Sequence, residues 1–369
     1  MNTSLSLSGY IIPFGLTIVL SAFCTWLIRK LAIRFGIYDR PQQDDARKVH
    51  TAPVPLLGGM AVFASFTIVM VIYALFSDRL IGGYMLPKYL FGITLGGLLL
   101  MTGGLMDDRK NFSAGKQIIW PILSALVVIG AGIGVTYIQN PFGGSISLDQ
   151  VRVTFFTLND LPYRVILFAD VFAFVWMMGM MYTTKFLDGL DGLVSGVTTI
   201  GAIVLFVLSL TREVAQPETA LLAVILAGAA AGFLIFNFHP AKIFLGEGGS
   251  LWMGFILGTL AIISGAKIAT ALLILGIPIL DVAWVIMRRL LQGKSVTHAD
   301  RQHLHFRLLD IGLSHRAVVF ILYAVTAAFG ISALLFHGKE KLIVLFLLLV
   351  VMLVIASIVV RKYKKKGDS

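Results

Sequence analysis

The sequence predicts an all-α polytopic membrane protein, and three observations carry that prediction. Of the 369 residues, 58% are hydrophobic and 13% charged, against roughly 45–50% and about 25% in a soluble domain. Mean hydropathy is +0.90. The apolar residues fall into eleven runs, each near the ~20 residues that cross a bilayer as a helix. A water-soluble enzyme, a disordered chain and a fibrous protein are excluded together. The single cysteine, Cys24, excludes a disulfide within the monomer and any cysteine-based metal site.

In order, the runs lie at 8 to 28, 56 to 76, 88 to 106, 117 to 138, 164 to 182, 193 to 210, 219 to 236, 250 to 264, 267 to 287, 317 to 336 and 341 to 360. The first has no Lys or Arg before it and no small-residue cleavage site after it, so it reads as an anchor that stays and not as a signal peptide. Between the fourth and fifth runs, Ile146, Leu148, Val151, Val153 and Phe155 recur nearly every second residue. That alternation predicts a short hairpin at 143–157.

Orientation follows from Lys and Arg, which are retained on the cytoplasmic side. Loops 29–55, 107–116, 183–192, 237–249 and 288–316 and the tail 361–369 hold 22 of the 30 basic residues. These are therefore the expected cytoplasmic set, with the N-terminus outside, the C-terminus inside and the hairpin on the outer surface. The basic tail anchors the last helix against anionic lipid. The whole chain, 1–369, reads as one integral membrane domain.

The same loops hold nearly every polar residue able to do chemistry. The first cluster, Arg47 to Gly59, is by itself a basic juxtamembrane loop held by prolines; Lys48 and His50 would present donors to an anion. The second, Gly103 to Lys110 with Lys116, puts Asp107 and Asp108 at a helix C-terminus, where the dipole disfavours negative charge. Arg109 and Lys110 could offset them, but adjacent acids also suit a hard divalent cation such as Mg²⁺. In the third, Lys185 to Leu193, Asp188 and Asp191 are three apart, so a helical turn would set both carboxylates on one side. The fourth, Asn237 to Ser250, is a glycine-rich turn opening a helix, which offers free N–H groups to a phosphate. The fifth joins Asp281, Arg288 and Arg289 to His298 through Arg307. An ionisable residue within a span is a functional candidate, with Arg288 or Arg289 as the competing partner of Asp281. His303 and His305 lack the spacing that zinc usually draws. Carboxylates, imidazoles and amines on one membrane face suit metal-assisted phosphoryl transfer at the lipid boundary.

Taken in order, Lys48-Val49-His50 to Gly58-Gly59, Asp107-Asp108-Arg109, Asp188-Gly189-Leu190-Asp191-Gly192, Asn237-Phe238-His239-Pro240-Ala241-Lys242 and Asp300-Arg301-Gln302-His303-Leu304-His305 resemble the polyprenyl-phosphate N-acetylhexosamine-1-phosphate transferases. The match runs from about residue 39 to 316, in the branch that starts teichoic acid, O-antigen and enterobacterial common antigen lipids. The resemblance implies transfer of a sugar 1-phosphate, typically N-acetylglucosamine 1-phosphate, from a UDP-sugar to undecaprenyl phosphate, with release of UMP and a need for Mg²⁺, which Mn²⁺ could replace. It implies a multi-pass protein of the inner (plasma) membrane with a cytoplasmic active site, membrane lipid as a partner, no nucleic acid, and room for a homodimer.

Carried over by motif, Asp107 and Asp108 would lie at the lipid phosphate and the metal, with Lys48, His50 and Lys116 toward phosphates. Asp188 and Asp191 would line the nucleotide and sugar pocket with Lys185, Asn237 and Lys242, and Asp300, Arg301, His303 and His305 would contact the sugar nucleotide. The family's metal-binding aspartate falls at Glu247, whose longer arm is expected to keep the metal with slack supplied by Gly248. Three positions depart from the family's pattern: Tyr182 to Lys185 replace an Asn-rich segment, Glu247 replaces Asp, and Phe306 replaces the second His of a His-x-His-His run. They bear on the substrate, and another UDP-N-acetylhexosamine or UDP-MurNAc-pentapeptide is the alternative donor. A catalytically dead relative would also carry such departures. A secondary transporter would instead cluster its polar residues near the bilayer midplane in repeated halves.

Overall fold

A computed structural model describes residues 8–41, 52–110, 112–140, 143–158, 161–265, 268–293, 303–336 and 338–367. The apolar runs fold as helices. Eight are long and apolar enough to cross a membrane: α1 (Ser8–Arg34), α2 (Gly58–Phe76), α3 (Pro87–Lys110), α6 (Leu167–Leu187), α7 (Leu193–Leu210), α8 (Pro217–Asn237), α9 (Gly246–Ile263) and α13 (His315–Leu335). A ninth is formed if α10 (Ile268–Ile274) and α11 (Gly276–Leu291), bent by 82°, count as one span. The bend falls at Gly276 and Pro278, where proline removes a backbone donor and crowds the preceding turn. The chain also contains α12 (Leu304–Asp310) and α14 (Lys339–Gly367).

The fourth run departs from expectation. Only Ala114–Gln117 (α4) and Ile119–Gly130 (α5) are helical, giving a helix too short for the same test. Gly130, Gly132 and Gly134 end it, and Gly132 takes φ +91, a conformation that L side chains rarely adopt. The count of long apolar helices among the described residues is thus eight or nine.

The segment 143–157 also differs. Its strands β4 (Ser145–Ser147) and β5 (Arg152–Leu158) do not pair with each other. β4 pairs antiparallel with β3 (Tyr137–Gln139), and β5 with β6 (Leu161–Ile166). Alternation marked the strands correctly but did not encode which neighbour each would choose. A third ladder, β1 (Tyr38–Asp39) with β2 (Val54–Pro55), joins the segment after α1 to the end of the first cluster.

Helix α9 is the axis of the bundle, with its apolar window 94% buried. Trp252 packs edge-on against Phe63 and Phe66 of α2, with ring centroids 5.8 and 5.4 Å away. Two glycine contacts seat α9. A Cβ on Gly104 of α3 would lie 2.2 Å from the Gly248 nitrogen, and one on Gly59 of α2 would lie 2.2 Å from the Gly249 Cα. Small residues at such crossings let backbones touch where no water drives helices together. Gly248 is therefore a packing requirement and not slack for Glu247. These contacts bring the N-termini of α2 and α9 to the C-terminus of α3.

Candidate active site

The clusters described by the structure converge at one end of the bundle, where α3, α6 and α8 end and α2, α7 and α9 begin. Backbone bonds stitch this end together: Gly58 and Gly59 N–H donate to the Phe244 and Leu245 carbonyls, each at 2.8 Å.

Asp107 and Asp108 diverge from there. Asp107 accepts from the Phe112 N–H at 2.8 Å and from Gln117 Nε2 at 3.2 Å. Asp108 accepts the Glu247 N–H at 3.1 Å, so the first turn of α9 faces it. The positive end of that helix offsets the unfavourable C-terminus of α3. Arg109 and Lys110, the expected partners, are exposed.

Lys185, near the end of α6, ties the acids together. Its ammonium makes an ion pair with Glu247 and donates to Gln117 Oε1 at 3.0 Å, and the Gln117 amide in turn holds Asp107. One chain of polar contacts thus runs Asp107, Gln117, Lys185, Glu247, Asp108. Beside it, Asp188 follows α6 and is open to solvent. The protein around it raises its carboxyl above the ordinary range, and the negative charges of Glu247, Asp108 and Asp191 add to the rise; solvent access offsets part of this.

Asp191 turns elsewhere. Its Oδ2 lies 2.7 Å from His239 Nδ1 and accepts the Ala241 N–H at 3.1 Å, so the two aspartates of the third cluster serve different surroundings. The His315 ring stacks on His239 at 4.0 Å, and Arg316 donates to the His239 carbonyl at 3.0 and 3.2 Å.

Asp281 of α11 approaches His303 Nδ1 at 2.9 Å and accepts the Leu304 N–H at 2.9 Å, capping α12. A partner is thereby found that neither Arg288 nor Arg289 was needed to supply. His305 is buried in the adjoining turn, and Gly189 is required there because a Cβ would lie 2.3 Å from His305 Nε2. Burial pushes the His305 imidazole down to about 3, so it is neutral near pH 7. Phe306 tilts on its ring at 4.2 Å.

Asn237 is buried, with Oδ1 accepting from the Gly192 N–H and the Ser195 hydroxyl and Nδ2 donating to the Ile243 carbonyl. Its amide clamps two loops. Lys116 and Lys242 are exposed at the rim. Lys48, His50, Asp300 and Arg301 lie outside the described residues. Sequence reasoning passed over Gln117, His315 and Arg316, which no motif spacing marks, and quoted His239 only as part of a motif.

The carried-over metal set does not fit a metal ion. Among the described residues, the one trio of His, Cys, Asp or Glu side chains with ligand atoms within 4.8 Å of one another is Asp191, His239 and His315; Asp107, Asp108 and Glu247 form no such trio. Each of those three already accepts a hydrogen bond, and the Glu247 carboxylate is paired with an ammonium.

Residues 90–265 match the family model described as glycosyl transferase family 4. The chain is 33% identical over 350 residues to the decaprenyl-phosphate N-acetylglucosaminephosphotransferase of Mycolicibacterium smegmatis, covering 87% of this chain and 81% of that protein. It is 28% identical over 342 residues to the probable undecaprenyl-phosphate N-acetylglucosaminyl 1-phosphate transferase of Bacillus subtilis, covering 91% and 87%. To the undecaprenyl-phosphate alpha-N-acetylglucosaminyl 1-phosphate transferase of Yersinia pestis it is 27% identical over 314 residues, covering 82% and 77%.

Proposed function

Since the chain belongs to glycosyl transferase family 4, we propose that it transfers N-acetylglucosamine 1-phosphate from the UDP-sugar to undecaprenyl phosphate. A lipid phosphate oxygen attacks the sugar-bearing phosphorus, a new P–O bond forms, and the bond to UMP breaks with its electron pair leaving on the UMP phosphate. The observation that carries the reading is the Asp107–Gln117–Lys185–Glu247–Asp108 chain with open Asp188 beside it, at the end of a membrane-type bundle. Phosphoryl transfer asks mainly for positioning and charge stabilisation. No strong base is required, because a phosphate monoester with a second pKa near ~6 is mostly a dianion at neutral pH.

An apolar groove between α11 and α14, lined by Leu280, Ala283, Trp284, Met287, Met352 and Leu353, runs beside Asp281 and Arg307. It offers a prenyl chain an apolar bed next to a charged end. Asp188, Asp191 and the 300–305 segment face the sugar nucleotide, and Lys48 and Lys116 serve phosphates. Purified protein in detergent, given undecaprenyl phosphate and a panel of UDP-sugars, is expected to release UMP fastest with UDP-N-acetylglucosamine. Release without acceptor lipid, or with none of the donors, would refute the assignment.

The site faces the cytoplasm of the plasma membrane in this reading, supported by 22 of 30 basic residues on its side of the chain. Cysteine labelling of a Cys24-free background is expected to place Lys110, Lys294 and Lys366 inside and Lys88, Arg152 and Lys339 outside. An external Lys294 would break the reading.

A further inference from the structure

We propose that Lys185 is the resident cation of this site and that Glu247 is its counter-ion and not a metal ligand. The ammonium lies between Glu247, one member of the carried-over ligand set, and the amide that holds Asp107, another. Both side chains are only 18% exposed, so the pair is screened weakly by solvent compared with a surface pair.

Three independent observations bear on this. Glu247 directs its carboxylate to Lys185 and its N–H to Asp108, so the backbone that would set its reach toward a shared metal is already committed. Gln117 is bound at both ends, by Asp107 and by Lys185, which fixes the ammonium from a second direction. The packing is rigid here: Gly246 takes φ +75, and a Cβ on it would sit 2.4 Å from Asp108 Oδ2. The turn cannot readily swing Glu247 away from its lysine.

The chemistry is consistent. A transferring phosphoryl group is stabilised by cations in general, by Lys and Arg as well as by Mg²⁺, and a lysine acts on phosphate as a compact point charge. Mg²⁺ demands near-octahedral oxygen ligands, and an ammonium already paired to one of them repels a dication. Lys185 therefore supplies the positive charge among Asp107, Asp108, Asp188 and Glu247, and the diphosphate of the donor approaches it directly. This consequence for catalysis rests on the reading under Proposed function; the exclusion of the dication does not.

The test is Mn²⁺ binding to the purified protein without substrates, followed by electron paramagnetic resonance. Wild type is expected to leave Mn²⁺ free. Lys185→Ala, which releases Glu247, is expected to bind Mn²⁺ at least about tenfold more tightly, a change of the size that altered ligand surroundings produce. Lys185→Ala with Glu247→Gln is expected to lose that binding. Lys185→Arg keeps the charge and is expected to exclude the ion as wild type does, and it serves if the alanine variant does not fold. Tight Mn²⁺ binding by wild type that Glu247→Gln removes would overturn the proposal, and so would Lys185→Ala that folds and binds none. In the transfer assay, wild-type UMP release is expected to persist within about threefold in excess chelator, since the charge a dication would bring is built in; its abolition would overturn the catalytic part. Absence of UMP release under every condition would sink the transferase reading and leave the Mn²⁺ result standing on its own.

Discussion

Asp188→Asn is expected to cut sugar-phosphate transfer by about 10²-fold or more, the cost of losing one well-placed charge contact in the transition state. The variant is a clean probe because the Asp188 side chain makes no hydrogen bond among the described residues, so the isosteric amide breaks no internal contact. Its pH behaviour gives a second reading. The carboxyl is held above its ordinary range by the surrounding protein and then by Glu247, Asp108 and Asp191. The working ionised form therefore accumulates at higher pH than an ordinary carboxylate requires, and the wild-type rate should climb over that interval. Asp188→Asn should flatten that limb. Stability moves the other way. The folded state keeps the Asp188 proton longer than the unfolded chain does, so wild-type stability falls as pH rises through the raised value. The amide removes that loss, and Asp188→Asn should melt no lower than wild type at pH 8. UMP release across pH with parallel melting curves decides it. A variant with wild-type turnover would make the third cluster structural.

Much of this was legible in the chain. Apolar runs marked the helices, and the glycine and aspartate clusters marked one end of them. What periodicity does not encode is how far one helix slides along another, and that decides which polar groups meet. Lys185 and Glu247 are 62 residues apart; as letters they were two separate departures from a pattern, and as a structure they are one ion pair. Asp191 and His239, 48 apart, similarly escaped a reading that placed Asp191 beside Asp188 by their spacing. The turn after Leu187 is set by Gly189 and Gly192 and not by a continued helix, so the two carboxylates part. Asp107 and Asp108 part for a different reason: neighbours on a helix project about 100° apart, one toward α4 and one toward α9. The sequence showed where acids gather, while their partners were fixed by close glycine crossings such as Gly104 on Gly248.

Asn237→Ala is expected to be the most damaging single change away from the acids. The side chain is 4% exposed, and its three hydrogen bonds join the turn that opens α7 to the loop before α9. Truncation strands the Gly192 N–H and the Ile243 carbonyl and leaves the Ser195 hydroxyl only its bond to the Gly192 carbonyl. Each buried group left unpaired costs about 1–3 kcal/mol, and water entering the space returns part of that, so a net loss of about 3 kcal/mol is expected. Transfer should fall with it, because those two loops carry Asp191 and His239, whose approach at 2.7 Å depends on their register. Asn237→Asp separates the clamp from mere volume. A carboxylate keeps the acceptor toward Gly192 and Ser195 but opposes the Ile243 carbonyl, while the protonated acid can donate to it. The folded state should therefore favour the protonated form and raise that carboxyl, so the variant's stability is present at low pH and is lost as pH rises. Melting curves at pH 5 and pH 8 should show Asn237→Asp near wild type at the first and near Asn237→Ala at the second. An Asn237→Ala protein with wild-type melting and reduced donor affinity would instead place the amide against the substrate.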